Sequence, residues 1–220
     1  MKKALLLSFV LMLSVSAFSQ VNVGLRFAPG FGLNRVDHDD VPGNSFSSAG
    51  TGLRFMFGPE AYYAINDNAS FVTGLNYNVR RVGLQYTVSN PETGIGSSFR
   101  DVYSLQYLSI PLYVHLLTNE VQTDTRIYFN VGGGFDWRIN SRVNKSNNEA
   151  PYVEKFRMYD ADMMLGTGIQ YKVGENSFIL AGISYNRGLL NTISRVRPGF
   201  SNPDVRVRTD LASLDMRYKF

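Results

Sequence analysis

The 220-residue sequence contains no cysteine. A disulfide framework and a thiolate metal site are therefore excluded. It has two histidines, His38 and His115, and one tryptophan, Trp137. No apolar run of 18 residues follows the first twenty positions, so no transmembrane helix is expected. Charge of one sign is also scarce. The formal net charge is +4, and Lys2 and Lys3 supply two of those charges. The remaining excess is too small to argue for nucleic acid.

What is present begins with "MKKALLLSFVLMLSVSAFSQ". Two lysines precede an apolar run from Ala4 to Leu13, and the small residues Ala17 and Ser19 stand at signal-peptidase spacing. The run is too short to span a bilayer and too well flanked to be a buried first helix, so 1–19 is expected to be a cleaved secretory signal peptide. Residues 20–220 are then one domain of an exported protein.

Within that domain a tetrapeptide recurs: GLRF at 24–27 and 52–55, GLNY at 74–77, GFDW at 134–137, GIQY at 168–171 and GISY at 182–185. Its form is Gly, apolar, polar, aromatic. On a strand the apolar and aromatic residues share one face, and Gly and the polar residue share the other. The spacing is irregular, so this is no solenoid repeat. It is one surface requirement met six times.

Period-two alternation places eight strands at about 21–33, 51–65, 70–86, 103–117, 126–138, 156–173, 177–189 and 206–220. In the third strand the apolar parity shifts from Phe71, Leu75, Tyr77 and Val79 to Val82, Leu84 and Tyr86, which predicts a β-bulge near Arg80–Arg81. Connections after even-numbered strands are short: 66–69, 118–125 and 174–176. Those after odd-numbered strands are long, polar and rich in Gly, Asn, Ser and Pro. A soluble sandwich or lipocalin-like barrel shares the alternation but not this asymmetry of loops. The expected fold is an all-β, eight-stranded antiparallel up-and-down transmembrane β-barrel, with periplasmic termini and four long outer loops. Lipid offers no partner to an open edge, so the last strand must pair with the first. That explains an oily strand running to the final residue. Tyr218 and Phe220 are expected in the periplasmic aromatic girdle, and Trp137 in the outer one.

Three stretches carry a family resemblance: "LQYLSIPLYVHL" at 105–116, "RIYFNVGGGFDW" at 126–137 and "SYNRGLLNTIS" at 184–194. They resemble the fourth, fifth and seventh strands of the PorT-like outer-membrane β-barrel family of gram-negative bacteria. The family takes its name from a member required for type IX protein secretion. The resemblance implies an outer-membrane location and an association with secretion-system components, and transfers no catalytic residue. The terminal Tyr218 and Phe220 resemble the signal by which the outer-membrane assembly machinery recognises its clients.

The residues bear differently on an enzyme, a pore and a binder. His38 between Asp37 and Asp39 is similar to the arrangement of lipid A palmitoyltransferases, which are also eight-stranded barrels. That chemistry needs an apolar slot for an acyl chain, whereas inward parity falls on Arg26, Arg54, Glu60, Asp136, Asp160, Asp162, Asp215 and Arg217. Charges of this kind are costly beside such a slot. Residues 37–40 suit a solvated acidic loop, with a weak divalent-cation site as the alternative. His115 suits an interior hydrogen-bond network. "VGGGF" at 131–135 lacks the Lys-Ser/Thr and helix of a phosphate loop. Eight strands enclose an interior that side chains can fill, so a salt-bridged plug is expected in place of a channel. No catalytic residue, metal ligand or cofactor is assigned.

The remaining reading is a non-enzymatic structural, assembly or interaction barrel, with a lipid-modifying enzyme or small-solute pore as alternatives. Arg195, Arg197, Arg206 and Arg208 in the fourth outer loop are expected to contact lipopolysaccharide phosphates or to anchor the barrel in an anionic leaflet. Matching depth and parity across the closure predicts an interior cluster of Arg26, Glu60 and Asp215, in which apolar replacement of all three costs less than removal of one.

Overall fold

A computed structural model of the protein describes residues 21–38, 44–50, 52–89, 96–147, 151–197 and 205–220. The expected signal peptide lies outside these residues. The described residues form twelve strands: β1 (Val21–Asp37), β2 (Asn44–Ser48), β3 (Gly52–Asn66), β4 (Ala69–Gly74), β5 (Asn76–Ser89), β6 (Gly96–Gln122), β7 (Thr125–Ser146), β8 (Val153–Phe156), β9 (Tyr159–Lys172), β10 (Phe178–Gly188), β11 (Ile193–Val196) and β12 (Arg206–Lys219). Among the described residues there is no helix.

Eight staves form a closed ring in the order β1, β12, β10, β9, β7, β6, β4 with β5, and β3, which returns to β1. Every neighbouring pair is antiparallel. β4 and β5 are one stave. Both keep a single register against β6, and the interruption at Leu75 faces Pro59. Leu75 N–H donates to the Pro59 carbonyl at 3.1 Å, but proline has no N–H to return.

The recurring tetrapeptide sets the wall. Its polar residues Arg26, Arg54, Asn76, Asp136, Gln170 and Ser184 are all buried in the interior. Its apolar positions Leu25, Leu53, Leu75, Phe135, Ile169 and Ile183 are all exposed on the outside. This polarity is the reverse of a water-soluble sandwich, and it suits an oily solvent outside the ring.

The predicted bulge at Arg80–Arg81 is absent. β5 pairs with β6 without a register shift from Asn76–Ser109 to Ser89–Gly96. Val82, Leu84 and Tyr86 point inward on the same parity as Asn76, Asn78 and Arg80. What changes is the environment: beyond Arg80 the stave leaves the lipid-facing band, and an apolar core lies inside it. A parity of hydrophobicity shifted here because inside and outside exchanged solvents, not because the strand slipped.

The outer half also holds more strand than expected. β6 and β7 pair out to Asp101–Ser146, with two register shifts on the way. The segments read as loops contribute β2, paired with β5, and the small β8–β11 sheet. On the periplasmic side, the eight-residue turn expected at 118–125 is much tighter. β6 runs to Gln122 and β7 begins at Thr125, with Asp124 in the left-handed region at φ 58°.

Candidate functional site

The interior is filled at three levels. Nearest the periplasmic end, Arg26 from β1 donates Nε to Asp215 Oδ1 at 3.1 Å and Nη2 to Asp215 Oδ2 at 3.2 Å. Its Nη1 lies 3.5 Å from Glu60 Oε1, and all three residues are buried. The structure therefore brings Arg26, Glu60 and Asp215 together across β1, β3 and β12.

A fourth member belongs to the cluster. Arg217 donates Nε to Asp215 Oδ1 at 3.0 Å and Nη2 to Asp215 Oδ2 at 2.5 Å, and its Nε lies 3.6 Å from Glu60 Oε2. The Tyr62 and Tyr113 hydroxyls donate to Glu60 Oε2 at 3.1 and 2.8 Å. Two guanidiniums balance two carboxylates, which is the condition for burying ions at tolerable cost. This corrects the three-residue expectation: replacing only Arg26, Glu60 and Asp215 would strand Arg217. Asn130 connects the cluster to His115, with its amide nitrogen 2.7 Å from His115 Nδ1 and its oxygen 3.0 Å from Arg217 Nη1. The buried His115 ring also meets the edge of Tyr62.

At the next level Arg80 from β5 reaches across the lumen. Its guanidinium donates to Asp136, to Asp160 Oδ2 at 2.7 Å and to Asp162 Oδ2 at 3.4 Å, and stands 4.8 Å from the Tyr107 ring centre. Ser109 donates to Asp136, and Asn186 Nδ2 donates to Asp162 Oδ1 at 2.9 Å. One cation thus binds carboxylates of β7 and β9, two and three staves around the ring from β5. Sequence reasoning placed Arg80 at a bulge and missed this role. The available signal was three inward aspartates with no inward cation at their depth.

The third level is apolar and lies at the outer end. Phe46, Leu84, Tyr86, Tyr103, Leu105 and Val207 pack from the wall against Tyr152, Val153, Phe156 and Ile193 of the β8–β11 region. Asp101 anchors that region: it accepts from Tyr152 N–H at 2.8 Å, Ser146 Oγ at 2.6 Å and Tyr103 Oη at 3.1 Å. Burial, with a smaller contribution from Tyr86, pushes the Tyr152 hydroxyl up to about 12.

The other candidate residues are dispersed. Asp37 pairs with Arg208 at 3.0 Å, and His38 packs on Phe46 with ring centres 5.6 Å apart. Asp39 lies outside the described residues. Of the fourth-loop arginines, Arg195 stands on β11, Arg197 just beyond it, and Arg206 and Arg208 on β12. Tyr218 and Phe220 are exposed side by side at the periplasmic end, with ring centres 5.9 Å apart. Trp137 is exposed on β7, edge-on to Tyr159. The "VGGGF" run is plain strand within β7.

A family model described as an outer membrane protein beta-barrel domain matches residues 18–194. Among solved structures, the outer membrane protein OprG from Pseudomonas aeruginosa is similar in fold. It has a TM-score of 0.50 at 10% identity, over 91% of this chain and 94% of that one. Neisserial surface protein A aligns over 90% of this chain and 97% of its own, with a TM-score of 0.46 at 16% identity. No curated protein matches the chain.

Proposed function

This chain belongs to the outer-membrane protein beta-barrel domain family, and we propose that it is a non-enzymatic structural, assembly or interaction barrel of the gram-negative outer membrane that works through its outer end. One observation carries the reading: two buried ion clusters and an apolar core occupy successive levels of the lumen. An acyl-chain slot of a lipid-modifying enzyme would have to displace paired charges, and a solute path would have to cross all three levels. Function then falls to surfaces that the rigid wall presents.

The finer reading follows from the PorT-like stretches at 105–116, 126–137 and 184–194. They favour a partner among secretion-system components, with export by the leader at 1–19. Outer-membrane lipid and lipopolysaccharide surround the barrel, and the assembly machinery meets its Tyr218–Phe220 end. Co-purification from native outer membranes tests the assignment. Reproducible recovery of a secretion component supports an assembly role, whereas recovery of lipopolysaccharide alone supports an anchor. Stable porin-like steps from purified protein in planar bilayers would overturn the filled lumen in favour of a pore.

A further inference from the structure

We infer that a notch in the outer wall, formed where β5 changes partner, binds the phosphorylated headgroup of an outer-leaflet glycolipid. The notch follows from strand pairing. β3 pairs with β5 only as far as Phe55–Val79, and β2 takes up the pairing at Ser48–Leu84. Between these points β5 pairs with neither strand among the described residues, and Ala49 N–H donates to the Gly83 carbonyl at 3.1 Å. A cleft of ≈720 Å³ opens there, floored by Ala49, Gly52 and Gly83, and lined by Arg81, Arg100 and Lys145.

Three features fit a phosphate. First, the cations converge on one side of the wall. Cross-strand registers put Arg81 beside Ser104, Val102 between Gly83 and Lys145, and Arg100 beside Gln85. These outward neighbours are uncharged, while Asp101 is turned inward and held by its own donors. Second, the site is built and not merely populated. Arg100 Nη2 donates to the Ala49 carbonyl at 2.7 Å, which fixes its guanidinium against the floor. A Cβ on Gly52 would fall 2.6 Å from Arg81 Cδ, so glycine leaves the room through which that side chain passes. Third, a buried cation backs the notch. From the lumen side Arg54 Nη2 donates to the Arg81 carbonyl at 2.7 Å and to Asn34 Oδ1 at 2.8 Å, which places a buried positive charge behind the cleft without lining it.

The position identifies the source of the anion. The same three staves carry Tyr77, Leu108 and Trp137 in one cross-strand row of the lipid-facing surface. Arg81 stands four residues farther out, about 13 Å along the strand. Arg100 and Lys145 stand eight residues beyond Leu108 and Trp137, about 26 Å along the strand, so the three cations rise from the girdle of Tyr77 and Trp137 into the headgroup region of the outer leaflet. There, phosphate attached to lipid is concentrated, and guanidinium binds it in bidentate fashion. The fourth-loop arginines Arg206 and Arg208 stand on β12, across the ring from β6, and Arg208 is already paired with Asp37.

The test uses the full mature chain in phosphatidylcholine nanodiscs, with bis-phosphorylated lipid A as the probe. The triple variant R81Q/R100Q/K145Q should bind lipid A about tenfold more weakly, because charge-assisted hydrogen bonds are lost. R195Q/R197Q/R206Q should stay within about twofold, as expected for exposed charges outside the site. Dephosphorylated lipid A should bind the wild type as weakly as lipid A binds the triple variant. Wild-type affinity in the triple variant overturns the proposal, as does displacement of lipid A by inorganic phosphate at equal concentration. Heat-modifiable migration reports folding separately from binding, so a folded barrel that fails to discriminate refutes the notch and leaves the barrel assignment intact. If the triple variant does not fold, K145Q alone, at the exposed end of β7, should weaken binding about threefold. No change in K145Q then counts against the site.

Discussion

Val23 and Phe220 exchange both of their backbone hydrogen bonds: Phe220 N–H donates to the Val23 carbonyl at 2.8 Å, and Val23 N–H donates to the Phe220 carbonyl at 3.2 Å. The last residue of the chain is thereby part of the seam that closes the ring. Deleting Phe220 should reduce the heat-modifiable, membrane-inserted fraction. Phe220→Ala keeps the backbone pair but loses the ring, so it separates closure from recognition. Insertion of Phe220→Ala at the level of the deletion would assign the effect to the aromatic ring, and wild-type insertion of the deletion would refute both.

The balanced periplasmic cluster predicts an asymmetry between single and complete replacement. Arg26→Met leaves Arg217 facing two carboxylates and should lower unfolding free energy by about 3–5 kcal/mol, as for other broken buried pairs. R26M/E60L/D215L/R217M removes every charge and should lose less than the single variant. Urea unfolding in bilayers reads the difference. A quadruple variant less stable than Arg26→Met would contradict the account.

Arg80 is the one guanidinium that contacts Asp136, Asp160 and Asp162 among the described residues. Arg80→Met should therefore destabilise the barrel more than Arg26→Met, because three carboxylates lose their cation and no second arginine contacts them. Adding D136N, D160N and D162N to Arg80→Met should restore much of the loss. Failure of that rescue would show that packing against Tyr107, and not charge, sets the cost.

Gly182 lies where a larger residue cannot. A Cβ there would fall 2.2 Å from the Thr167 carbonyl oxygen and 2.5 Å from the Tyr128 hydroxyl. Gly182→Val should cost about 1–3 kcal/mol, the usual range for overpacking. Gly182→Val combined with Tyr128→Phe should recover only part of it, since the carbonyl contact remains. A fully rescued double variant would place the whole clash on the hydroxyl.

The alternation in β1, β3, β9, β10 and β12 made their lipid-facing sides legible, because period two and a buried polar parity leave one orientation in an oily solvent. Arg26, Glu60 and Asp215 could be matched in depth for the same reason: each is counted from a periplasmic strand end. Arg217 shared their parity, but its place in the cluster depended on where its guanidinium folds back, which spacing does not report. Arg80 was obscured by a real change in the pattern. Val82, Leu84 and Tyr86 are apolar and inward, so hydrophobicity alone could not distinguish an inward core from a slipped strand.

The wall is legible along the chain: six repeats of one small, oily, polar and aromatic motif, an oily closing strand, and short turns alternating with long connections. Those features are local, since each depends on which side of a strand a residue faces. What meets inside and at the rim depends on how the ring closes. Arg80 reaches aspartates 56 to 82 residues away, and the notch beside Arg81 exists because part of β5 pairs with neither β3 nor β2. Such juxtapositions are set by ring closure and register, which bring distant strands to one depth and have no period along the chain.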